Sequence, residues 1–117
     1  MKDFKKLLIW QKGMEIVKSA YELAAQLPEN EKFGLRSQIT RAAVSVPSNI
    51  AEGSAKKSKK EHERFLEIAL GSLFELETQI LMIDQMSLGE KQLRMSLLTK
   101  IDEEQKMLMS FMKKVGA

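Results

Sequence analysis

The chain has 117 residues, of which 44% are hydrophobic and 30% are charged, the balance of a single soluble globular domain. It contains no cysteine and one histidine, His62, which excludes disulfides, thiolate nucleophiles and metal sites built from several cysteines or histidines. The charge is uneven: residues 1–60 carry 12 basic and 6 acidic side chains, whereas residues 61–117 carry 7 and 10. This polarity favours self-association or an anionic partner.

Apolar residues recur every three or four positions almost throughout, which is the helical period. Pro28 ends the first helix, because the residue before a proline is pushed out of the helical region. The apolar seam of the second helix stays in phase from Leu35 to Gly53, so we expect this helix to bend at Pro47 rather than to end there. The pattern predicts four helices, at about residues 9–27, 33–53, 58–86 and 89–114.

Two polar signals mark the later helix starts. Ser58 and Glu61 form a capping box at the start of helix three, and the segment 87–90 repeats this signal before helix four. Four amphipathic helices with short connections predict an all-α fold, an antiparallel up-down-up-down four-helix bundle in one domain spanning residues 1–117.

Nothing in the sequence predicts an enzyme. A di-iron bundle needs two Glu-x-x-His pairs, which one histidine cannot supply, and we expect His62 to be a solvated residue in the first turn of helix three. No phosphate-binding loop, dinucleotide fingerprint or zinc spacing occurs. We therefore predict no catalytic residue, no metal and no cofactor. The apolar run 7–10 is too short for a signal peptide or a membrane span, so we expect a cytoplasmic protein without a membrane partner.

Polar residues interrupt the seam of helix two. Asn49 occupies an apolar position, and Ser45 lies one turn before it. These side chains could satisfy backbone groups that Pro47 frees, or they could make polar contacts across a subunit interface or in a pore.

A second set of charges follows from the hairpin of helices two and three. If the hairpin turns near Lys56-Lys57, facing positions have residue numbers that total about 113. Arg36 then faces Glu77, and Arg41 lies near Glu75. We expect these pairs to form ion pairs that fix the register; the alternative is that the arginines are free to contact phosphates.

The densest charge run consists of Lys56, Lys57, Lys59 and Lys60 around the turn between helices two and three. Four lysines on a turn can neutralise phosphates without reading base sequence, although such a run is often only solvated. No aromatic residue interleaves with it, so a base-stacking platform is not indicated.

An apolar cluster precedes the seam of helix one. Phe4, Leu8 and Trp10 have no obvious place inside a four-helix core, and a large aromatic near a chain end is a good anchor for a neighbouring subunit. We therefore predict a ring of subunits with this segment at the interface. The alternative is a monomer in which Trp10 caps the end of its own bundle.

Four groups of residues stand out together, in this order and spacing: Ile9-Trp10-Gln11-Lys12, Leu35-Arg36-Ser37-Gln38-Ile39, the long run from Arg41 to Gly53, and Ala69-Leu70-Gly71-Ser72-Leu73 followed by Glu75-Leu76-Glu77-Thr78. Over residues 4 to about 86 the sequence resembles the bacterial four helix bundle protein family, also called the 23S rRNA intervening-sequence proteins. The resemblance implies a small cytoplasmic bacterial protein with no established enzymatic activity. It also implies a homopentamer around a basic central pore, and a likeness to the retroelement accessory variability determinant proteins, which bind nucleic acid and a reverse transcriptase.

Together these features predict a non-enzymatic homo-oligomer that binds RNA or DNA, with structured RNA as the expected ligand. The alternative is a scaffold for a protein partner that binds no nucleic acid. The predicted phosphate-contacting residues are Lys56, Lys57, Lys59, Lys60, Arg36 and Arg41.

Overall fold

The computed structural model describes residues 3–117, which form four long helices: α1 (Leu8–Ala25), α2 (Leu35–Ser54), α3 (Lys59–Gln85) and α4 (Lys91–Gly116). Single turns of 3-10 helix precede α1 and connect it to α2, and the described residues include no strand. Each helix packs against the next, and α1 packs against α4, so the predicted all-α four-helix bundle is confirmed. The described part of the chain measures 43 × 23 × 20 Å.

The core lies along the bundle axis, where each helix contributes aliphatic side chains. Burying one such side chain stabilises the fold by roughly 1.5–3 kcal/mol, and this burial holds together helices that would be marginal alone. The largest fully buried side chains are Ile16, Leu23, Ile39, Ile50, Leu66, Leu73, Leu76, Ile80, Ile83, Leu97, Ile101 and Leu108.

Pro47 lies inside α2, which continues through it, so the expectation that the helix does not end there is confirmed; the bend remains a prediction. The half-buried Asn49 donates to the carbonyl of Ser45 at 2.8 Å and to its hydroxyl at 2.9 Å, and the Ser45 and Ser72 hydroxyls lie 2.8 Å apart. Asn49 thus joins α2 to α3 through Ser45, and the carbonyl it engages is not the Ala43 carbonyl that Pro47 leaves without its usual donor.

The register of α2 against α3 differs from the expected one. The Ser45–Ser72 contact and the hydrogen bond from Gln79 to Gln38, 3.3 Å long, join positions whose numbers total 117, four more than expected. Four residues are about one helical turn. Every pairing derived from the earlier register is therefore displaced by one turn.

The connection between α3 and α4 also differs from the expectation. The residue predicted to cap α4, Ser87, has a φ of 54° and Gly89 has a φ of 68°, conformations that end α3. Helix α4 begins two residues later than predicted, at Lys91. The backbone N–H of Glu90 donates to Gln26 Oε1 at 2.7 Å, which ties this connection to the end of α1.

Arg94 holds the same connection from inside. Its guanidinium is buried and donates to Asp84 Oδ1 at 2.7 Å, to the Leu88 carbonyl at 2.8 Å and to the Gly89 carbonyl at 2.6 Å. One side chain therefore fastens the end of α3 to the start of α4.

A carboxylic acid lies in the core where three helices meet. Glu104 of α4 is fully buried, and neither of its oxygens has a hydrogen-bond partner among the described residues. A Cβ at Gly13 of α1 would lie 3.3 Å from Glu104 Oε2 and 3.4 Å from the Pro47 ring of α2, so the glycine makes room for both. Burial raises the pKa of Glu104 to about 8, with nearby Lys12 opposing the rise.

Arg94→Ala is expected to lower the free energy of unfolding by about 2–4 kcal/mol, because it strands the Asp84 carboxylate and two carbonyls at once. Chemical denaturation measures this loss. The control is Arg64→Ala, since Arg64 is exposed and lies 4.0 Å from Glu61; its loss is expected to stay within about 0.5 kcal/mol. Equal effects of the two substitutions would contradict the assignment.

Glu104 makes the stability of the fold depend on pH. Its folded-state pKa of about 8 lies above the ordinary value of 4.5, so the unfolded chain releases this proton first. The contribution of Glu104 to stability is fully retained below pH 4.5, falls as the pH rises, and is lost above pH 8. Glu104→Gln is expected to remove this dependence and to raise the free energy of unfolding by roughly 2–4 kcal/mol at the alkaline end.

The measurement is chemical denaturation at a series of pH values. Glu103→Gln is the control, because Glu103 is exposed and its carboxylate pairs with Lys12 at 2.9 Å; this variant should keep the pH dependence. A Glu104→Gln protein with the same pH profile as the parent would show that Glu104 is not the responsible group.

Candidate nucleic-acid interface

Lysines gather at one end of the bundle. The turn from α2 to α3 presents Lys56, Lys57 and Lys59, all exposed, and the antiparallel packing brings Lys114 from the end of α4 beside them. We call these four residues the lysine patch. They surround a cavity of about 490 Å³, and its other lining residues are Ser54, Ser58, His62, Val115 and Ala117.

No aspartate or glutamate lines this cavity. Lys56, Lys57 and Lys114 form no ion pair among the described residues, and the Lys59 ammonium donates to the Ala117 carbonyl. The charges of Lys56, Lys57 and Lys114 are thus not neutralised by an aspartate or glutamate ion pair within the described residues. Helix α3 begins beside it with Ser58, whose hydroxyl accepts the Glu61 N–H at 3.1 Å, as predicted.

Lys60 lies apart from the patch. It borders a second cavity, where Glu61, Glu63 and Glu67 also line the wall. The predicted run of four lysines is therefore divided: three meet Lys114, and one faces carboxylates. The helical geometry of α3 separates Lys59 from Lys60 by about 100° around the helix axis.

An aromatic ring does lie beside the lysines, although none interleaves with them in the sequence. The Lys56 ammonium is 4.8 Å from the centroid of the half-buried Phe65 ring, and the Arg64 guanidinium is 5.7 Å from it. Phe65 is six residues into α3 and nine from Lys56 along the chain, so only the turn brings them together. The ring holds Lys56 through a cation–π contact.

His62 is buried, so the expectation of a solvated histidine was wrong. Its ring packs edge-on against Phe111 of α4 at 6.0 Å. Gly53 at the end of α2 permits this packing, since a Cβ there would lie 3.1 Å from His62 Cδ2 and 3.0 Å from the Cβ of Phe65. His62 therefore forms the floor of the cavity beneath the lysines.

The two arginines do not form the predicted ion pairs. Arg36 pairs with Glu29 at 3.1 Å, while Glu77 accepts a hydrogen bond from Gln105 at 2.8 Å. The displaced register of α2 and α3 explains the difference, because it moves Arg36 one turn away from Glu77. Arg41 shares a cavity with Glu75, as expected, but no ion pair joins them within the described residues.

The arginines also lie away from the lysine patch. Arg36 lies near the start of α2 and Lys56 lies just beyond its end at Ser54, so the two are separated by roughly 27 Å of helix. Arg41 lies midway along α2, on a cavity of about 500 Å³ between α2 and α3. The six predicted phosphate-contacting residues thus occupy different parts of the surface, and only three join the patch.

The N-terminal cluster is split between core and surface. Phe4 packs edge-on against Trp10 at 5.4 Å, and Trp10 packs against the core of its own bundle. Leu8 is 67% exposed and lies on a largely apolar cavity of about 570 Å³ that Lys6, Lys106 and Lys114 border. Leu8 rather than Trp10 is therefore the exposed apolar residue of this segment.

Two kinds of site receive no support within residues 3–117. No group of three or more histidine, aspartate or glutamate side chains is placed to hold a metal ion. No helix in this part of the chain combines the length and apolarity that crossing a membrane requires.

Comparison with known proteins identifies the family. A solved structure from Bacteroides thetaiotaomicron, described as a protein with unknown function from the S23 ribosomal protein family, is similar to this chain with a TM-score of 0.83. It is 24% identical, and the likeness covers 91% of this chain and 99% of that one, which shows the shared fold. No curated protein matches the sequence. The family model for the 23S rRNA-intervening sequence protein matches residues 5–110, and the chain therefore belongs to this family.

Proposed function

We propose that this protein is a non-enzymatic cytoplasmic factor that assembles with itself and binds structured RNA through the lysine patch. The observation that carries this proposal is a cavity that four lysines border and that no aspartate or glutamate lines. Lysines that form no ion pair with aspartate or glutamate attract phosphates, and each phosphate they neutralise releases condensed counterions.

The patch is suited to phosphates rather than to bases. Lysine ammonium groups contact phosphate oxygens without distinguishing base sequence, and the Phe65 ring beside them is half-buried and already covered by Lys56. The lysines come from two segments that are far apart in the chain, so their spacing is fixed by the fold. A fixed set of cations favours a nucleic acid whose phosphates have a defined arrangement, as in folded RNA.

Self-assembly supports this function by repeating the patch. We propose a ring in which the apolar cavity beside Leu8 receives a neighbouring copy, with lysines or arginines toward its centre; the family resemblance supplies the number five. Several patches on one particle contact one RNA at once, which raises the overall affinity without any new kind of contact.

The second candidate function is a scaffold that binds a protein and no nucleic acid. The exposed apolar residues of α3, among them Phe74 and Leu81, favour it, because exposed apolar surface marks interaction sites. A scaffold predicts no affinity for RNA or DNA at physiological salt, so the two functions give opposite results in one binding experiment.

The test of RNA binding compares two triple variants of equal charge. Lys56→Ala with Lys57→Ala and Lys114→Ala removes three of the four patch lysines, and Lys18→Ala with Lys32→Ala and Lys91→Ala removes three exposed lysines elsewhere. Fluorescence anisotropy with a labelled RNA stem-loop is expected to show a loss of affinity of about tenfold or more for the first triple. The slope of log K against log salt should fall by about two to three for that triple.

The control triple should bind nearly as well as the parent. Equal losses for both triples would mean that net charge rather than the patch binds RNA, and no binding by the parent at physiological salt would favour the scaffold. A duplex DNA of the same length distinguishes a preference for structured RNA from general phosphate binding.

Light scattering tests the ring, because the chain alone has a mass of 13.3 kDa. We expect a multiple of this mass for the parent and a lower mass for Leu8→Glu, which introduces a charge at an exposed apolar position without disturbing the core. Trp10→Ala should also lower the mass, through loss of the packing that positions the segment. A parent mass near 13.3 kDa at micromolar concentration would overturn the ring.

A further inference from the structure

Helix α3 carries large apolar side chains on its outer side as well as on its core side. A line of residues with spacings of four and three runs along the exposed face, and its two large apolar members, Phe74 and Leu81, are 50% and 46% exposed. A helix that is apolar on opposite sides is normally covered on both. This outer stripe consists of Glu67, Gly71, Phe74, Thr78, Leu81 and Gln85, all exposed.

The polar side chain in the middle of the outer stripe, Thr78, already has a hydrogen-bond partner within α3. The Thr78 hydroxyl donates to the Phe74 carbonyl at 2.8 Å, so it is satisfied within α3. A Cβ added at Gly71 would have no atom within 4 Å, so the surface beside Phe74 is open at this position. Ile68 and Met82 flank the stripe and are 40% and 47% exposed, which extends the apolar surface.

The order of large and small side chains along the stripe is self-complementary. We propose that the outer stripe binds a second copy of this chain, with the two α3 helices antiparallel about a two-fold axis at the level of Leu76. Phe74 then lies opposite Thr78 of the second copy, and Leu81 lies opposite Gly71. Each large side chain meets a small one, which allows the close packing that stable helix pairs need.

Other arrangements of the same two stripes pack less well. A parallel pair places Phe74 opposite Phe74 and Gly71 opposite Gly71, which leaves a crowded level next to an empty one. An antiparallel pair shifted by seven residues in one direction places Phe74 opposite Gln85, and a shift in the other direction leaves Leu81 opposite Arg64. The two-fold axis at Leu76 alone buries both large residues against small ones.

The charges around the stripe make pairing through α3 depend on salt. Glu67 lies opposite Gln85 of the second copy, so no like charges meet at the ends. Glu75 approaches its own counterpart across the axis, with Arg41 on the same cavity beside it. Because salt screens that repulsion, pairing through α3 strengthens as salt is added, whereas phosphate binding weakens.

This contact is separate from the proposed ring and from RNA binding. Leu8 and its cavity lie on α1 and α4, and the lysine patch lies at the bundle end. A two-fold contact through α3 can therefore join two single bundles or two rings, and its failure leaves the other proposals standing.

The chain contains no cysteine, so single cysteines report the pairing directly. Glu67→Cys and Gln85→Cys replace exposed polar residues at the two ends of the stripe. In the proposed pair these positions lie opposite each other, while two copies of either one are roughly 27 Å apart along the helices, beyond disulfide reach. Mild oxidation of a mixture, with one variant carrying a size tag, is expected to give a crosslinked heterodimer in about tenfold higher yield than either variant alone.

Two substitutions complete the test. Phe74→Glu in both partners is expected to abolish the crosslink, and Tyr21→Glu should leave it intact, because Tyr21 is a comparably exposed aromatic on α1, at 54%. Circular dichroism verifies that all variants fold. Self-crosslinking of Glu67→Cys would indicate a parallel pair. A mixture that crosslinks no more than the single variants would mean that something other than a second copy covers α3. Either result overturns the proposal.

Discussion

The hydrogen bonds that join polar side chains of α2 to buried polar side chains of α3 set the register on which the rest of the molecule depends. The Ser45–Ser72 contact and the Gln79–Gln38 bond lie where apolar side chains alone would tolerate a slip of one turn. A slip would leave the buried side chains of Ser72 and Gln79 without these partners, which costs more than the bonds contribute. The register in turn places the α2–α3 turn beside the end of α4 and thereby assembles the lysine patch.

Two buried ionisable residues show how differently the core treats charge. Arg94 is fully engaged, with a carboxylate and two carbonyls around its guanidinium, and it fastens a connection. Glu104 has no such partners among the described residues, and burial keeps it protonated at neutral pH by raising its pKa to about 8. Arg94 stabilises the fold through its charge, whereas Glu104 is tolerated in the core because it is uncharged at neutral pH.

The surface is divided in a way that matches the proposed activities. At the bundle end, four lysines and no aspartate or glutamate line one cavity, and these cations attract phosphates. The outer face of α3 carries apolar residues flanked by glutamates, which repel nucleic acid and favour protein contact. The proposed binding of RNA and the proposed contact through α3 can therefore occur together, because they use separate surfaces.

The sequence by itself determined the helices, because their signals are local: a 3.6-residue period, Pro28 after α1, and the Ser58 cap whose hydroxyl accepts the Glu61 N–H. Every helix begins and ends within two residues of its predicted bound. The lysine turn was also visible in the sequence, since its residues are consecutive. The resemblance to the family was visible in the sequence as well, because it depends on a long continuous motif, from Arg41 to Gly53, and not on how the helices pack.

Tertiary structure alone decided which residues meet. Helical periodicity fixes the face on which a residue lies, but it leaves the sliding of one helix along another undetermined, so Arg36 was assigned to Glu77 and found with Glu29. Lys114 joins the patch only because α4 ends beside the α2–α3 turn. Glu104 is spaced three and four residues from Ile101 and Leu108, so the helical period alone places it on the core side of α4. Its burial also depends on Gly13 and Pro47, which come from two other helices. No local pattern in the sequence encodes that meeting.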